Sequence, residues 1–259
     1  MSGGPYDAPY LYDILHGPGT AAGVDVLQRI AARHRPAGRR RPWLEPACGT
    51  GRYLRVIAGR GGRIVGFDLD PRMVDYARAS LRRRGLAERA RVRRADLADC
   101  SALLPPGGAG FAFCPYGSIR HLNDDRSLQA HLAGMAELLA PGAAYVVGLD
   151  LHRPEVEPRE DVWTAARGPC RVTQVVNYLP PPTRGPSARI ETVLSHLMVD
   201  RPRGVTHHDA RYRLRTYTEA QWRRQVARSP LRRAAVLDAT GRPRADRDLP
   251  YQLEILVRE

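Results

Sequence analysis

The sequence predicts an α/β protein: a doubly wound, mainly parallel sheet, an antiparallel β insertion after its fifth strand, and a helical lid ahead of the first. Three observations carry this. Between residues 41 and 151, short apolar strands alternate with helical stretches, the pattern of a parallel sheet covered on both faces. From Trp163 to Thr216 the pattern changes to apolar–polar alternation broken by proline-rich turns, as in an antiparallel layer. A glycine turn, "EPACGTG" at 45–51, directly follows the first strand, where a doubly wound sheet receives its ligand. The expected division is a lid over 1–40, a ligand-binding core over 41–150, the insertion over 151–216 as a substrate or interface layer, and a closing helix with the last two core strands over 217–259.

Each element has a local reason. Residues 5 to 35 read as a tyrosine-rich lead-in and an amphipathic helix with Val24, Leu27, Ile30 and Ala31 at helical spacing, ended by Pro36 and Gly38. Trp43 to Pro46 is the first strand, and a helix follows from about Gly51 to Ala58. After the strand "RIVGFD" at 63–68, Asp70 caps a helix opened by Pro71, with Met73, Tyr76, Ala77 and Leu81 on one face and Gly85 at its end. "ARVRRAD" and "GFAFCPY" are the third and fourth strands. Asp124 or Asp125 caps the next helix, where Leu128, Leu132, Met135 and Leu139 recur, and "APG" stops it before the strand "AAYVVGLDL". The insertion contains "PCRVTQVVNYL", "ARIETVLSHLMVD" and "HHDARYRLRTY". Thr218 caps the last helix, "TEAQWRRQVARS", and "RRAAVLDA" and "YQLEILVRE" close the chain.

Composition narrows the function. The 259 residues carry a net charge of +14, which ordinarily points to nucleic acid. All 41 basic residues are arginine, however, and they are spread along the chain with no dense tract beyond "GRRRP" and "LRRRG", so the excess reads as codon usage more than as a binding surface and disfavours a nucleic-acid partner. Cys48, Cys100, Cys114 and Cys170 show neither CxxC pairing nor histidines at zinc spacing, and His207 and His208 are adjacent strand residues facing opposite sides; no metal is expected. No apolar run approaches eighteen residues and the N-terminal stretch lacks the form of a signal peptide, so a cytoplasmic protein with no membrane partner is expected. A homodimer is compatible with the sequence.

The glycine turn carries the chemistry. A dinucleotide site wants G-x-G-x-x-G, but the run here is Gly49, Thr50, Gly51, Arg52, Tyr53, Leu54, without the third glycine. Glu45 stands ahead of the turn, where a carboxylate suits a ligand with a cationic amino group better than a pyrophosphate. Asp68 ends the next strand seventeen residues after Gly51, placed to accept ribose hydroxyls. An adenosine ligand carrying an amino acid fits these features. At this point the chain from about 40 to 150 resembles the class I S-adenosylmethionine-dependent methyltransferases, which have a Rossmann-like sheet and a first motif of the form acid-x-G-x-G-x-G. "EPACGTG" is similar to that motif, with Ala47 in place of the first glycine. The resemblance implies S-adenosylmethionine as cofactor, S-adenosylhomocysteine as product, and roles for Glu45, Ala47, Gly49 and Gly51 at the turn. It further implies Asp68 as the ribose ligand, Leu69 beside the adenine, Asp96 at the adenine amino group and the Leu97 N–H at the ring.

The fourth strand runs into "CPYGSIRHL", which in such a fold brings Cys114, Tyr116 and Ser118 beside the sulfonium. Nucleic-acid amino-methyltransferases place (D/N/S)-P-P-(Y/F) here; Phe113, Cys114, Pro115 and Tyr116 lack the polar acceptor, which counts against base methylation. The arrangement looks more like the small-molecule N-methyltransferases of the glycine and amino-sugar type. That likeness implies a small-molecule acceptor, His121 as the group that takes or relays the amine proton, and a lid tyrosine, Tyr12, at the acceptor. Tyr6 and Tyr10 are its neighbours in the lead-in, and Arg213 and Arg215 share a strand face from which they could hold an anionic acceptor. Two alternatives stay open: an RNA methyltransferase, favoured by the arginine content, and a non-catalytic cofactor-binding subunit.

Overall fold

The computed structural model describes residues 8–34, 41–151, 159–185, 187–243 and 251–259. Helices α1 (Pro9–His16) and α2 (Thr20–Arg33) lead into β1 (Trp43–Pro46), α3 (Arg52–Gly59), β2 (Ile64–Asp68), α4 (Pro71–Arg83), β3 (Ala90–Arg94), β4 (Phe111–Cys114), α5 (Asp125–Leu138) and β5 (Ala144–Asp150). Four long strands follow: β6 (Arg159–Arg167), β7 (Cys170–Leu179), β8 (Ile190–Arg201) and β9 (Gly204–Arg215). Helix α6 (Glu219–Ala227), β10 (Leu231–Leu237) and β11 (Tyr251–Arg258) complete the chain.

Among the described residues the strands form two sheets. The main one has the order β3-β2-β1-β4-β5-β11-β10. Its first five members are parallel, and β11 inserts antiparallel between β5 and β10. Alternation along each strand sends side chains to two covered faces. Phe111, Phe113 and Val146 point into a layer with Val24 of α2, Leu54 of α3 and Val74 of α4. Cys114, Tyr145 and Val147 point the other way, against Leu128 and Leu132 of α5 and Trp222 of α6. The caps do what their residue types dictate: Asp70 accepts from Arg72 N at 2.8 Å, Asp124, and not Asp125, accepts from Ser127 N at 2.7 Å, and Thr218 forms a capping box with Gln221.

The second sheet is an antiparallel meander, β6-β7-β8-β9, with no ladder to the first among the described residues. It has one strand more than the three legible in the insertion. The lead-in is itself helical: α1 lays Leu11, Ile14 and Leu15 against Val172, Leu197 and Val199 of the small sheet. Pro36 and Gly38, read as the stop of α2, lie outside the described residues. No helix among the described residues is long and apolar enough to cross a membrane.

Candidate active site

The site begins where β1 ends. Ala47, Gly49 and Gly51 all take left-handed backbone, with φ of 51°, 52° and 69°. The turn is tied to its neighbour strand by Cys48 N donating to Phe67 O at 2.9 Å and Gly49 N donating to Asp68 Oδ2 at 2.8 Å. Asp68 Oδ1 in turn accepts from Asp70 N at 3.0 Å. Burial pushes the Asp68 carboxyl up, and these two N–H donors oppose it. Ala47 is the one non-glycine with positive φ among the described residues. An L side chain there costs about 1–2 kcal/mol, so what sets it apart from a glycine is conformation more than volume.

Beyond the carboxyl ends of the strands lies a cavity of about 980 Å³. Tyr12, Ala47, Gly49 and Asp68 line it at the turn, and Leu69, Asp96 and Leu97 line it farther along the strand ends. Ser118 and His121, in the short 3-10 turn after β4, form another part of the wall. The structure thus gathers nine of the sequence-predicted residues around one space. Tyr12 comes from α1 and packs over the turn: a Cβ on Gly49 would lie 3.6 Å from Tyr12 Cε1. Burial raises the Tyr12 phenol, and the Arg52 guanidinium draws it back down in part. His121 exposes its surface to the cleft while protein packed around it, and then Arg120, lower its pKa below the ordinary 6.5.

Other predicted residues lie off the cavity wall. Glu45 is buried, and its Oε2 has no hydrogen-bond partner among the described residues. Burial raises its pKa well above normal, against the pull of Arg52. Gly51 opens α3, its missing side chain leaving room for Ala77 Cβ at 3.1 Å from where a Cβ would stand. Cys114 is buried, its thiol pushed up to about 12 by desolvation. Tyr116 is 58% exposed and lies on the Arg52 guanidinium, 4.3 Å from ring centre to Cζ. Tyr10 is exposed and bonded to Arg201 at the end of β8. Arg213 is exposed on the outer face, near Ser187, and Arg215 is buried, donating to Asn123 O at 2.8 Å and to Asp125. Both guanidiniums therefore stand elsewhere than the cavity, Arg215 as a tie between β9 and α5. Tyr6 lies outside the described residues. His207 meets His196, Nδ1 to Nε2 at 3.0 Å, while His208 lies toward Thr206.

Three participants were not legible in the sequence. Arg52, read only as the missing third glycine's neighbourhood, is buried between the rings of Tyr53 and Tyr116 and donates to Thr20 Oγ1 at 3.1 Å. Its charge also helps burial hold His16 down at about 4. Tyr212 of β9 sits on the inward face, its ring 5.9 Å from that of His121, so the small sheet reaches the cavity rim there. Alternation between Tyr212 and its arginine neighbours was the available signal. Asp13 is buried and accepts from Thr50 Oγ1 at 2.9 Å, Tyr76 Oη at 3.2 Å, Arg167 Nη2 at 2.9 Å, and Arg55. Burial alone would raise its carboxyl; the two guanidiniums and Thr50 outweigh this and lower it.

These residues fit an adenosine ligand with an amino-acid tail. The turn leaves its backbone open to close approach, Asp68 retains lone pairs for hydroxyls, and behind the wall the orphaned Glu45 oxygen and the buried Arg52 place one acidic and one basic group on the side of the turn. Comparison with known proteins agrees. Residues 44–142 match a family described as a methyltransferase domain. The chain is 30% identical over 219 residues to the dTDP-3-amino-3,6-dideoxy-alpha-D-glucopyranose N,N-dimethyltransferase of Streptomyces fradiae, covering 83% of this chain and 79% of that one. Its fold is similar to DesVI of Streptomyces venezuelae, with a TM-score of 0.76, 20% identity and 100% of both chains covered. It is also similar to the S-adenosylmethionine-bound amino pentose methyltransferase CalS10 of Micromonospora echinaspora, with a TM-score of 0.69 and 19% identity over 100% of this chain and 98% of that one.

Proposed function

The chain belongs to the class I S-adenosylmethionine-dependent methyltransferases, and from that premise we propose that it methylates an amine nitrogen of a small, sugar-like acceptor. The observation that carries this is the convergence of Tyr12 and His121 on one cavity whose other walls hold Asp68, Asp96 and Leu97. The amine is further supported by the relative named as an N,N-dimethyltransferase of an amino sugar.

When bound, the cofactor supplies an electrophilic methyl group on a sulfonium. The protein's own residues have simpler tasks. Asp68 would accept the ribose hydroxyls, while Glu45 and Arg52, buried behind the cavity wall, would set the charge felt by the ammonium and carboxylate of the amino-acid tail. Asp96 and the Leu97 N–H hold the adenine. Tyr12, carried by the lid, lies over the turn and keeps water from the reacting end. Most acceleration of an in-line displacement comes from such positioning and exclusion. His121, held neutral at physiological pH by its surroundings, takes the proton of an arriving ammonium and leaves the nitrogen lone pair free.

The test is calorimetric titration of S-adenosylhomocysteine into the wild type and Asp68→Ala, with NAD as control, followed by an amine screen with labelled methyl donor. Binding in the wild type lost in the variant, and label transferred to an amino sugar, is expected. Label appearing only on RNA or only on hydroxyl acceptors would refute the amine reading.

A further inference from the structure

His131 is fully buried on α5 and has no task in the transfer just described. Both ring nitrogens are nevertheless engaged. Nδ1 lies 2.8 Å from the Leu97 carbonyl oxygen, and Nε2 lies 2.9 Å from the Tyr145 hydroxyl on β5. A carbonyl can only accept, so Nδ1 carries the proton, and Nε2 of the neutral ring accepts from the Tyr145 O–H. Burial lowers the imidazole to about 4, which keeps this form throughout the neutral range. A directed chain of donors runs from Tyr145 on β5, through His131, to the carbonyl of Leu97.

That carbonyl belongs to the same peptide as the N–H of Ala98, and Ala98 N donates to Asp96 Oδ1 at 2.8 Å. One peptide plane is clamped at both edges, by His131 from the core and by Asp96 from the cavity. Asp96 and Leu97 are both cavity-wall residues. We propose that His131 is a positioning residue for recognition of the adenine base: it sets the Leu97 peptide so that Asp96 spends one carboxylate oxygen on Ala98 and keeps the other for an exocyclic amino group. This rests on the reading of the cavity as the cofactor site. The chemical consequence is selectivity at position 6 of the purine. A carboxylate fixed there accepts from an amino group and has nothing to accept from a keto oxygen, so S-adenosylhomocysteine is preferred to S-inosylhomocysteine.

The experiment is calorimetry of both ligands against the wild type, His131→Gln and His131→Asn, with the melting temperature of each. The asparagine amide nitrogen stands close to the place of Nδ1 and keeps the Leu97 bond; the glutamine amide stands near Nε2 and loses it. We expect the preference for the adenine ligand to shrink about tenfold in His131→Gln, mainly through weaker S-adenosylhomocysteine binding, and to persist in His131→Asn. His131→Leu repeats the test should His131→Gln not fold. A residue that merely fills the core would lower the melting temperature and weaken both ligands alike. An unchanged preference in His131→Gln or His131→Leu therefore overturns the assignment. Failure of the wild type itself to bind S-adenosylhomocysteine overturns the cofactor-site reading beneath it.

Discussion

Asparagine in place of Asp13 removes the charge from the group that holds α1 to everything around it. Of the four donors to this carboxylate, two are guanidiniums. The Arg55 side chain is 13% exposed, so its bond keeps most of the roughly 1.5–3 kcal/mol of a buried hydrogen bond to a charged group. Arg167 is 54% exposed, and screening leaves it about 0.5 kcal/mol. The hydroxyls of Thr50 and Tyr76 contribute about 1 kcal/mol each, of which asparagine, keeping one acceptor oxygen, loses about half. The cost is therefore about 3 kcal/mol. All four partners lie outside α1, so the loss falls on docking of the lid and leaves the sheet intact. Hydrogen exchange read over residues 9–16 should speed up by about a hundredfold, since 1.4 kcal/mol is a factor of ten. S-adenosylhomocysteine should bind more weakly, because Tyr12 rides on the same helix. The pH dependence has a definite sign. The carboxyl of Asp13 is lowered in the folded protein, so its contribution is complete above the unfolded value near 3.9 and fades as pH falls through the depressed one. Wild-type α1 stays protected at pH 4.5 and loses protection only in stronger acid; the variant lacks that transition. Protection of 9–16 within about threefold of wild type in Asp13→Asn would refute the latch.

Further outcomes follow from single observations. Ala47→Gly removes the strain of a left-handed alanine and, after the extra freedom of glycine in the unfolded chain, should stabilise by about 1 kcal/mol, raising the melting temperature by about 2 °C; a fall would contradict it. Gly148→Ala on β5 would put a Cβ 1.9 Å from Pro115 O and 2.6 Å from Tyr251 Oη, so the segment after β4 must move; a loss of more than about 3 kcal/mol is expected in thermal melts, and an unchanged melt would show that the packing is looser than drawn. The acid limb of kcat/KM should have its midpoint below 6.5, because the His121 pKa is lowered, and should vanish in His121→Ala while cofactor binding persists; a limb centred above 6.5 would remove the base assignment.

Local physics made much of the fold legible. The first strand is short and stopped by Pro46, the caps at Asp70 and Thr218 have their characteristic residue types, and the change of period after Asp150 marks a second sheet. What escaped notice is short or non-local. Helix α1 has eight residues, too few to establish a period, and β6 is not legible as a strand because Arg159, Glu160 and Asp161 crowd its start with charge. Ala47, Gly49, Asp68, Asp96 and Leu97 line one cavity because each follows or ends a strand. Arg52 is not legible, because its environment is made by Tyr116, sixty-four residues away, nor is Asp13, because its partners come from the glycine turn, α3, α4 and β6. In β9 the reading picked out Arg213 and Arg215 for their charge, whereas the residue facing His121 is Tyr212.

Among the described residues no ladder joins the two sheets, and this has an evolutionary meaning. Backbone pairing would force the small sheet to keep the register and twist of the large one; side-chain ties do not. The junction is held by replaceable contacts, such as Arg120 Nη2 to Glu191 at 2.5 Å and the Asp13–Arg167 pair. Strands of the meander can therefore lengthen, tilt or exchange residues while the nucleoside bed stays unaltered. An architecture divided in this way lets the small sheet change by small steps, each neutral for the strand order of the main one.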